Sequence, residues 1–322
     1  MLAGQNNITG EERENVVRAE PISLHWELRS LLYLGVLSVS ASLGILIYKN
    51  IDSIGHDVLL IAISVVMVVC FAWSFKQSPG FRPTKMNAPG IWTDYILLAG
   101  CLLLLTLLAY LQFQYDLFGN RLGLALFIPM ILLFGTAYYF DHIGVLSLAI
   151  TNLAAWAGLA ITPTTLLQQN NFSERGVMFT GVALGILLIA LSWLSVSRKI
   201  KAHFSFTYKN FGLHLFFISM LAILFYFDGL YLLNFLILAL SAWAIYKICI
   251  QNTSTYLLVS TVLYVYIGFS FVVLNLLSFD SMSAIYLIVI YFILSGLGLI
   301  MFFKYLQKKI KPNDCLFGKG II

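Results

Sequence analysis

Ten long apolar runs dominate this sequence, at approximately 31–48, 57–75, 94–115, 122–140, 143–161, 177–196, 211–227, 230–250, 255–277 and 283–303. A helix needs roughly 20 apolar residues to cross the hydrocarbon core of a bilayer. Strands of an outer-membrane barrel would be about ten residues long and would alternate in polarity. These runs are longer and apolar on every face. The chain is 60% hydrophobic and 10% charged, too little charge for a water-facing surface, where about 25% is usual. The sequence therefore predicts an all-α, polytopic transmembrane helical bundle of about ten helices over 31–303. An amphipathic head (1–30) and a basic tail (304–322) flank it.

The loops give the orientation. If the runs alternate across the membrane, the head, 76–93, 141–142, 197–210, 251–254 and the tail share one side. With each Lys and Arg assigned to its nearest loop, 16 fall on that side; only Lys49, Arg121 and Arg175 fall on the other. Excess Lys and Arg mark cytoplasmic loops, so both termini are expected in the cytoplasm. The net charge of +5 then reports orientation, and no nucleic-acid partner is expected. Membrane lipids are.

In the head, Thr9-Gly10-Glu11-Glu12 reads as a capping box, opening a short helix to about Ala19 that stops near Pro21. The head is acidic and lacks a basic n-region, so it does not read as a signal peptide; the first run is expected to stay as an anchor. Cys70, Cys101 and Cys249 lie in apolar runs and Cys315 in the tail, with no metal-pair spacing, so neither a disulfide nor a metal site nor any cofactor is expected. Trp26, Trp73, Trp92, Trp193 and Trp243 fall near run ends, where amphipathic rings anchor at headgroup level.

Ionisable groups inside a bilayer are costly and usually functional. No Asp or Glu sits at the centre of a run, which argues against a pump with a midplane carboxylate. The candidates for a polar pathway or cavity are Asn152, His214 and Asn234 within runs, with Asp141 and His142 in the tight turn between the fourth and fifth. The default for Asn152 and Asn234 is helix-to-helix hydrogen bonding, and for His214 a structural hydrogen bond. Asp141 and His142 could form an acid–base pair, but Asp141 reads first as the N-cap of the fifth helix. Gln112 and Gln114 are placed to reach headgroups, and Asp116 and Arg121 to close the turn around Phe118-Gly119-Asn120 as an ion pair. Pro129 should kink the fourth helix, and Gly181-x-x-x-Gly185 allows close helix approach.

One hairpin recurs at an offset of three runs. Tyr139-Phe140-Asp141 leads to Ala155-Trp156-Ala157, as Tyr226-Phe227-Asp228 leads to Ala242-Trp243-Ala244. Leu146, Ile150 and Leu153 match Leu233, Ile237 and Leu240. An odd offset would make the pair inverted, as in many transporters; shared apolar composition is the readier explanation. There is no Walker sequence, HExxH, GxSxG or strand-linked GxGxxG, and no catalytic residue is assigned.

Residues 48–163 resemble a family of bacterial membrane proteins of unassigned activity, the domain of unknown function 2157. The resemblance is carried by Tyr48-Lys49-Asn50, Asp94-Tyr95-Ile96-Leu97-Leu98, Leu111-Gln112-Phe113-Gln114-Tyr115, Phe118-Gly119, Ala137-Tyr138-Tyr139-Phe140-Asp141-His142 and Leu146-Ser147-Leu148-Ala149-Ile150-Thr151. The head, with Ile8-Thr9-Gly10-Glu11-Glu12, is similar to that family's cytoplasmic lead-in. The resemblance implies a multi-pass protein of the bacterial inner membrane.

Two functions fit. Ten runs, the hairpin recurrence and Pro129 favour a carrier of a small molecule or lipid. The scarcity of buried polar groups, with the polar head and basic tail, favours a non-catalytic scaffold or partner subunit. An interfacial enzyme using Asp141 and His142 is the least favoured.

Overall fold

In a computed structural model, the described residues are 24–86, 91–119, 121–161, 175–251, 255–277 and 282–310. Among them are ten α-helices: α1 (Leu24–Ile54), α2 (His56–Gln77), α3 (Ile91–Tyr115), α4 (Leu122–Phe140), α5 (Ile143–Ile161), α6 (Arg175–Ser197), α7 (Ser205–Tyr226), α8 (Tyr231–Gln251), α9 (Thr255–Leu277) and α10 (Met282–Ile310). Short 3-10 turns cover Ala202–Phe204 and Asp228–Leu230, and no strand occurs among the described residues. Each apolar run became one helix, because in lipid a backbone must satisfy its polar groups within the segment. The protein is an all-α, multi-pass membrane protein. Seven helices are long and apolar enough to span a membrane; α1, α5 and α8 carry shorter apolar stretches, Ser30–Leu46, Ile143–Leu159 and Tyr231–Lys247.

The ends differ from expectation. α1 begins inside the head, and α10 runs to Ile310, into the expected tail. The capping box at Thr9–Glu12 and most of the tail lie outside the described residues. Asp57 and Asp94 fall in the first turns of α2 and α3, where a carboxylate complements the helix dipole.

The chain divides into two units. The first takes residues 1–74 and 90–103. Its buried hydrophobic residues are Leu59 and Ile63 on α2 with Tyr95, Leu97, Leu98 and Cys101 on α3. Tyr33 of α1 packs on Tyr95, ring centroids 5.3 Å apart.

The second unit takes residues 75–89 and 104–322. At its centre α7 buries Leu213, Phe217, Met220, Leu221 and Leu224 against Met178 of α6, Leu238 and Ala242 of α8, and Leu257 and Leu258 of α9. The α6–α7 seam is backbone against backbone. A Cβ on Gly185 would meet Gly212 O at 2.9 Å and Phe216 N at 2.8 Å; one on Gly212 would meet Gly185 O at 2.9 Å. Gly181 faces Ser219 in the same seam. The Gly181-x-x-x-Gly185 pattern is thus a true contact face. By contrast, the apolar stretch of α10 buries no residue, as suits a helix facing lipid. Hydrogen bonds between the Tyr266 and Ser295 hydroxyls (3.0 Å) and between the Ser270 and Tyr291 hydroxyls (2.9 Å) tie it to α9.

The recurring hairpin does unequal work in its two places. Leu146 and Ile150 are buried, whereas Leu233 and Ile237 are exposed. The first hairpin turns through a left-handed Asp141, the second through a 3-10 turn at Asp228–Leu230.

Candidate functional site

The α4–α5 turn is made by two residues. Asp141 ends α4 in the left-handed region (φ 61°), and its N–H and that of His142 both turn back to Ala137 O. Asp tolerates this conformation better than most residues. The chain then re-enters a helix at once, and the Val145 N–H donates to His142 Nδ1 at 3.0 Å. The sequence reading is corrected here: His142, not Asp141, caps α5. With Nδ1 accepting, a neutral His142 ring carries its proton on Nε2.

Asp141 is thereby freed for a distant partner. Its carboxylate, 2% exposed, places Oδ1 2.9 Å from Lys201 Nζ and 2.7 Å from His203 Nε2. Oδ2 accepts the Met86 N–H. The two Oδ1 approaches are ion-pair contacts rather than aligned hydrogen bonds. Burial alone would raise the Asp141 pKa. The contact to His203, the Met86 N–H, the contact to Lys201 and the charge on His203 together outweigh it and hold the carboxyl below its ordinary value.

Lys201 is fully buried. The loop after α6 carries it there through two left-handed residues, Lys199 (φ 57°) and Lys201 (φ 48°), each costing roughly 1–2 kcal/mol. The loop is held in return. The Lys201 N–H donates to Pro83 O at 2.8 Å. Ser195 Oγ donates to Ile200 O (2.7 Å) and Lys201 O (3.0 Å), and Ser192 Oγ to Ser205 O (2.9 Å). The Lys201 ammonium also lies 5.7 Å from the Phe81 ring centroid. Nearby, Tyr138 and Tyr208 share a 3.0 Å hydrogen bond, and Phe204 packs edge-on to Tyr138. Segment 81–86, the 141–142 turn and loop 198–204 thus meet at one carboxylate. The alternation of ten spans put these three loops on one side.

The other candidates are engaged separately. Asn152 Nδ2 donates to Leu126 O of α4 at 3.2 Å, a side-chain bond between neighbouring helices. His214 Nδ1 lies 2.7 Å from Tyr264 Oη and Nε2 3.0 Å from Tyr256 Oη, so α9 hydroxyls occupy both ring nitrogens. Asn234 Nδ2 is buried without a hydrogen-bond partner, as is Asn210 Oδ1, which sequence reading did not single out. The side chain that closes the outer turn is Gln112, whose Nε2 donates to Gly119 O (3.2 Å) and whose Oε1 accepts the Phe118 N–H (2.9 Å), where the sequence suggested an Asp116–Arg121 pair.

Sequence reading found Asp141 but missed Lys201 and His203. The signal was present: Asp141 is the only carboxylate in segments 76–90, 141–142 and 197–210, amid Lys and Arg. A lone acid among cations at a helix end is placed to pair with one of them.

No curated protein and no solved structure matches the chain. The family match begins in the head and ends within α5, short of the Pro163 limit read from the sequence, so Lys201 and His203 lie beyond it. Over residues 5–146 the chain matches the model of the family described as predicted membrane protein, domain of unknown function 2157, and in that stretch it is similar to that family.

Proposed function

We propose that this protein is a non-catalytic scaffold or partner subunit of a membrane complex, in the bacterial cytoplasmic membrane with both termini inside the cell. The observation that carries the reading is how its polar side chains are spent. Asn152 bonds the backbone of α4, His214 bonds two tyrosines of α9, and Asp141 fastens three loops together. Groups engaged in this way hold a bundle rigid and are not free to bind and release a solute. The clasped loops offer a fixed platform on one face. Purification from native membranes in a mild detergent tests this. A stable complex of defined partners supports the reading, and strictly monomeric behaviour counts against it.

A carrier of a small molecule or lipid is the second reading, favoured by the buried, unpartnered Asn234 Nδ2. An amide donor without an acceptor costs about 1–3 kcal/mol, which a transient ligand would relieve.

A further inference from the structure

We infer that the face formed by segment 81–86 and loop 198–204 is a docking surface for anionic phospholipid headgroups. Arg82, Lys85, Arg198 and Lys199 are all exposed. The Lys201 N–H bond to Pro83 O pins their two segments together, so the four cations stand on one fixed crossing. The only carboxylate of these loops, Asp141, is buried and engaged by Lys201 and His203. What it neutralises is the buried lysine, and the exposed rim carries no acid of its own. Apolar side chains stand among the cations: Phe81 and Ile200 within the segments, with Trp193 and Phe206 on the adjoining helix ends, all exposed. An acidic soluble protein would meet the charge but not these rings. A bilayer surface meets both, with phosphates for the cations and the headgroup boundary for the aromatic and aliphatic groups. The inference holds whether the bundle anchors a partner or moves a solute.

The test uses the full chain in a mild nonionic detergent, titrated with phosphatidylglycerol or phosphatidylcholine. Retained lipid is counted by native mass spectrometry. Wild type should retain phosphatidylglycerol in preference, and added salt should erase the preference. Together, Arg82→Gln, Lys85→Gln, Arg198→Gln and Lys199→Gln should weaken phosphatidylglycerol retention by about a hundredfold or more. A control replacing Lys304, Lys308, Lys309 and Lys311 by Gln should keep the preference. Should the fourfold variant fail to fold, Lys85→Gln and Lys199→Gln singly should each weaken retention by about fivefold. Equal retention of the two lipids by wild type, wild-type retention by the folded variants, or indifference to salt would overturn the inference. So would an acidic protein that co-purifies with wild type but not the variant while phosphatidylglycerol has no effect.

Discussion

Asp141 Oδ1 lies 2.9 Å from Lys201 Nζ, although α5 and α6 separate the two residues in the chain. Neither side chain has appreciable exposure, so the pair is a buried one. Removing one partner leaves the other as an uncompensated charge. Asp141→Asn or Lys201→Met alone should cost roughly 3–5 kcal/mol, whereas Asp141→Asn with Lys201→Met should lose far less than the sum, since Asn tolerates the left-handed turn and still accepts the Met86 N–H. Denaturation of the three variants in one detergent checks this. Additive losses in the double variant would show that the two residues do not act as a pair.

The same carboxylate sets an acid dependence. Its pKa is depressed in the folded protein, so the folded state binds fewer protons there than the unfolded state. The stabilisation is present above the ordinary carboxylate range and is lost as pH falls through the depressed value. Asp141→Asn should therefore flatten the acid limb of the Tm–pH profile and leave its shape near neutrality unchanged. An acid limb identical to wild type would assign the acid sensitivity elsewhere.

The α6–α7 seam has no room for a methyl group. Gly185→Ala and Gly212→Ala should each destabilise by about 1–3 kcal/mol, since backbone atoms rather than flexible side chains stand in the way. At Gly296 of α10 nothing lies within 4 Å of an added Cβ. Gly296→Ala should be neutral or gain about 0.5–1 kcal/mol. Thermal unfolding of the three variants side by side measures the contrast.

His214 and Tyr264 should couple weakly. Hydrogen bonds between membrane helices average about 0.6 kcal/mol in double-mutant cycles and reach about 1.7. A cycle of His214→Phe and Tyr264→Phe, read by stability, should fall in that range. Coupling near zero would mean that the 2.7 Å contact does not contribute.

Asn234 separates the two functional readings. If its unpartnered amide serves only packing, Asn234→Leu should raise stability by about 1 kcal/mol or more and leave growth unchanged. A more stable variant with lost physiological activity would favour the carrier.

The helices were legible because a bilayer imposes a length: each run from 31–48 to 283–303 had to become a helix, and each did. What hydropathy does not encode is which helices are neighbours. Asn152 looked like a lone amide until the Leu126 carbonyl of α4 appeared beside it. His214 looked like a lone imidazole until Tyr256 and Tyr264 closed on it from α9. Lys201 was counted as one more loop cation, because burial of a lysine depends on a fold in which Asp141 meets it. The Asp141–His142 turn was found as a polar feature, but the cap was given to Asp141, where His142 supplies it and Asp141 makes an ion pair the sequence reading did not foresee. A cap and a long-range ion pair both use an acceptor, and only geometry tells which side chain supplies which.

The proposed orientation requires all ten helices to cross the membrane, with segment 81–86, the 141–142 turn and loop 198–204 inside the cell and Arg121 and Arg175 outside. Cysteine accessibility tests it most directly. Arg82→Cys, Lys199→Cys, Arg121→Cys and Arg175→Cys are placed singly in a cysteine-free background and treated in intact cells with a membrane-impermeant maleimide. Cysteines at 121 and 175 should react from outside, and those at 82 and 199 only after the membrane is opened. Labelling of 82 and 199 from opposite sides, or of 199 and 175 from the same side, would contradict the account.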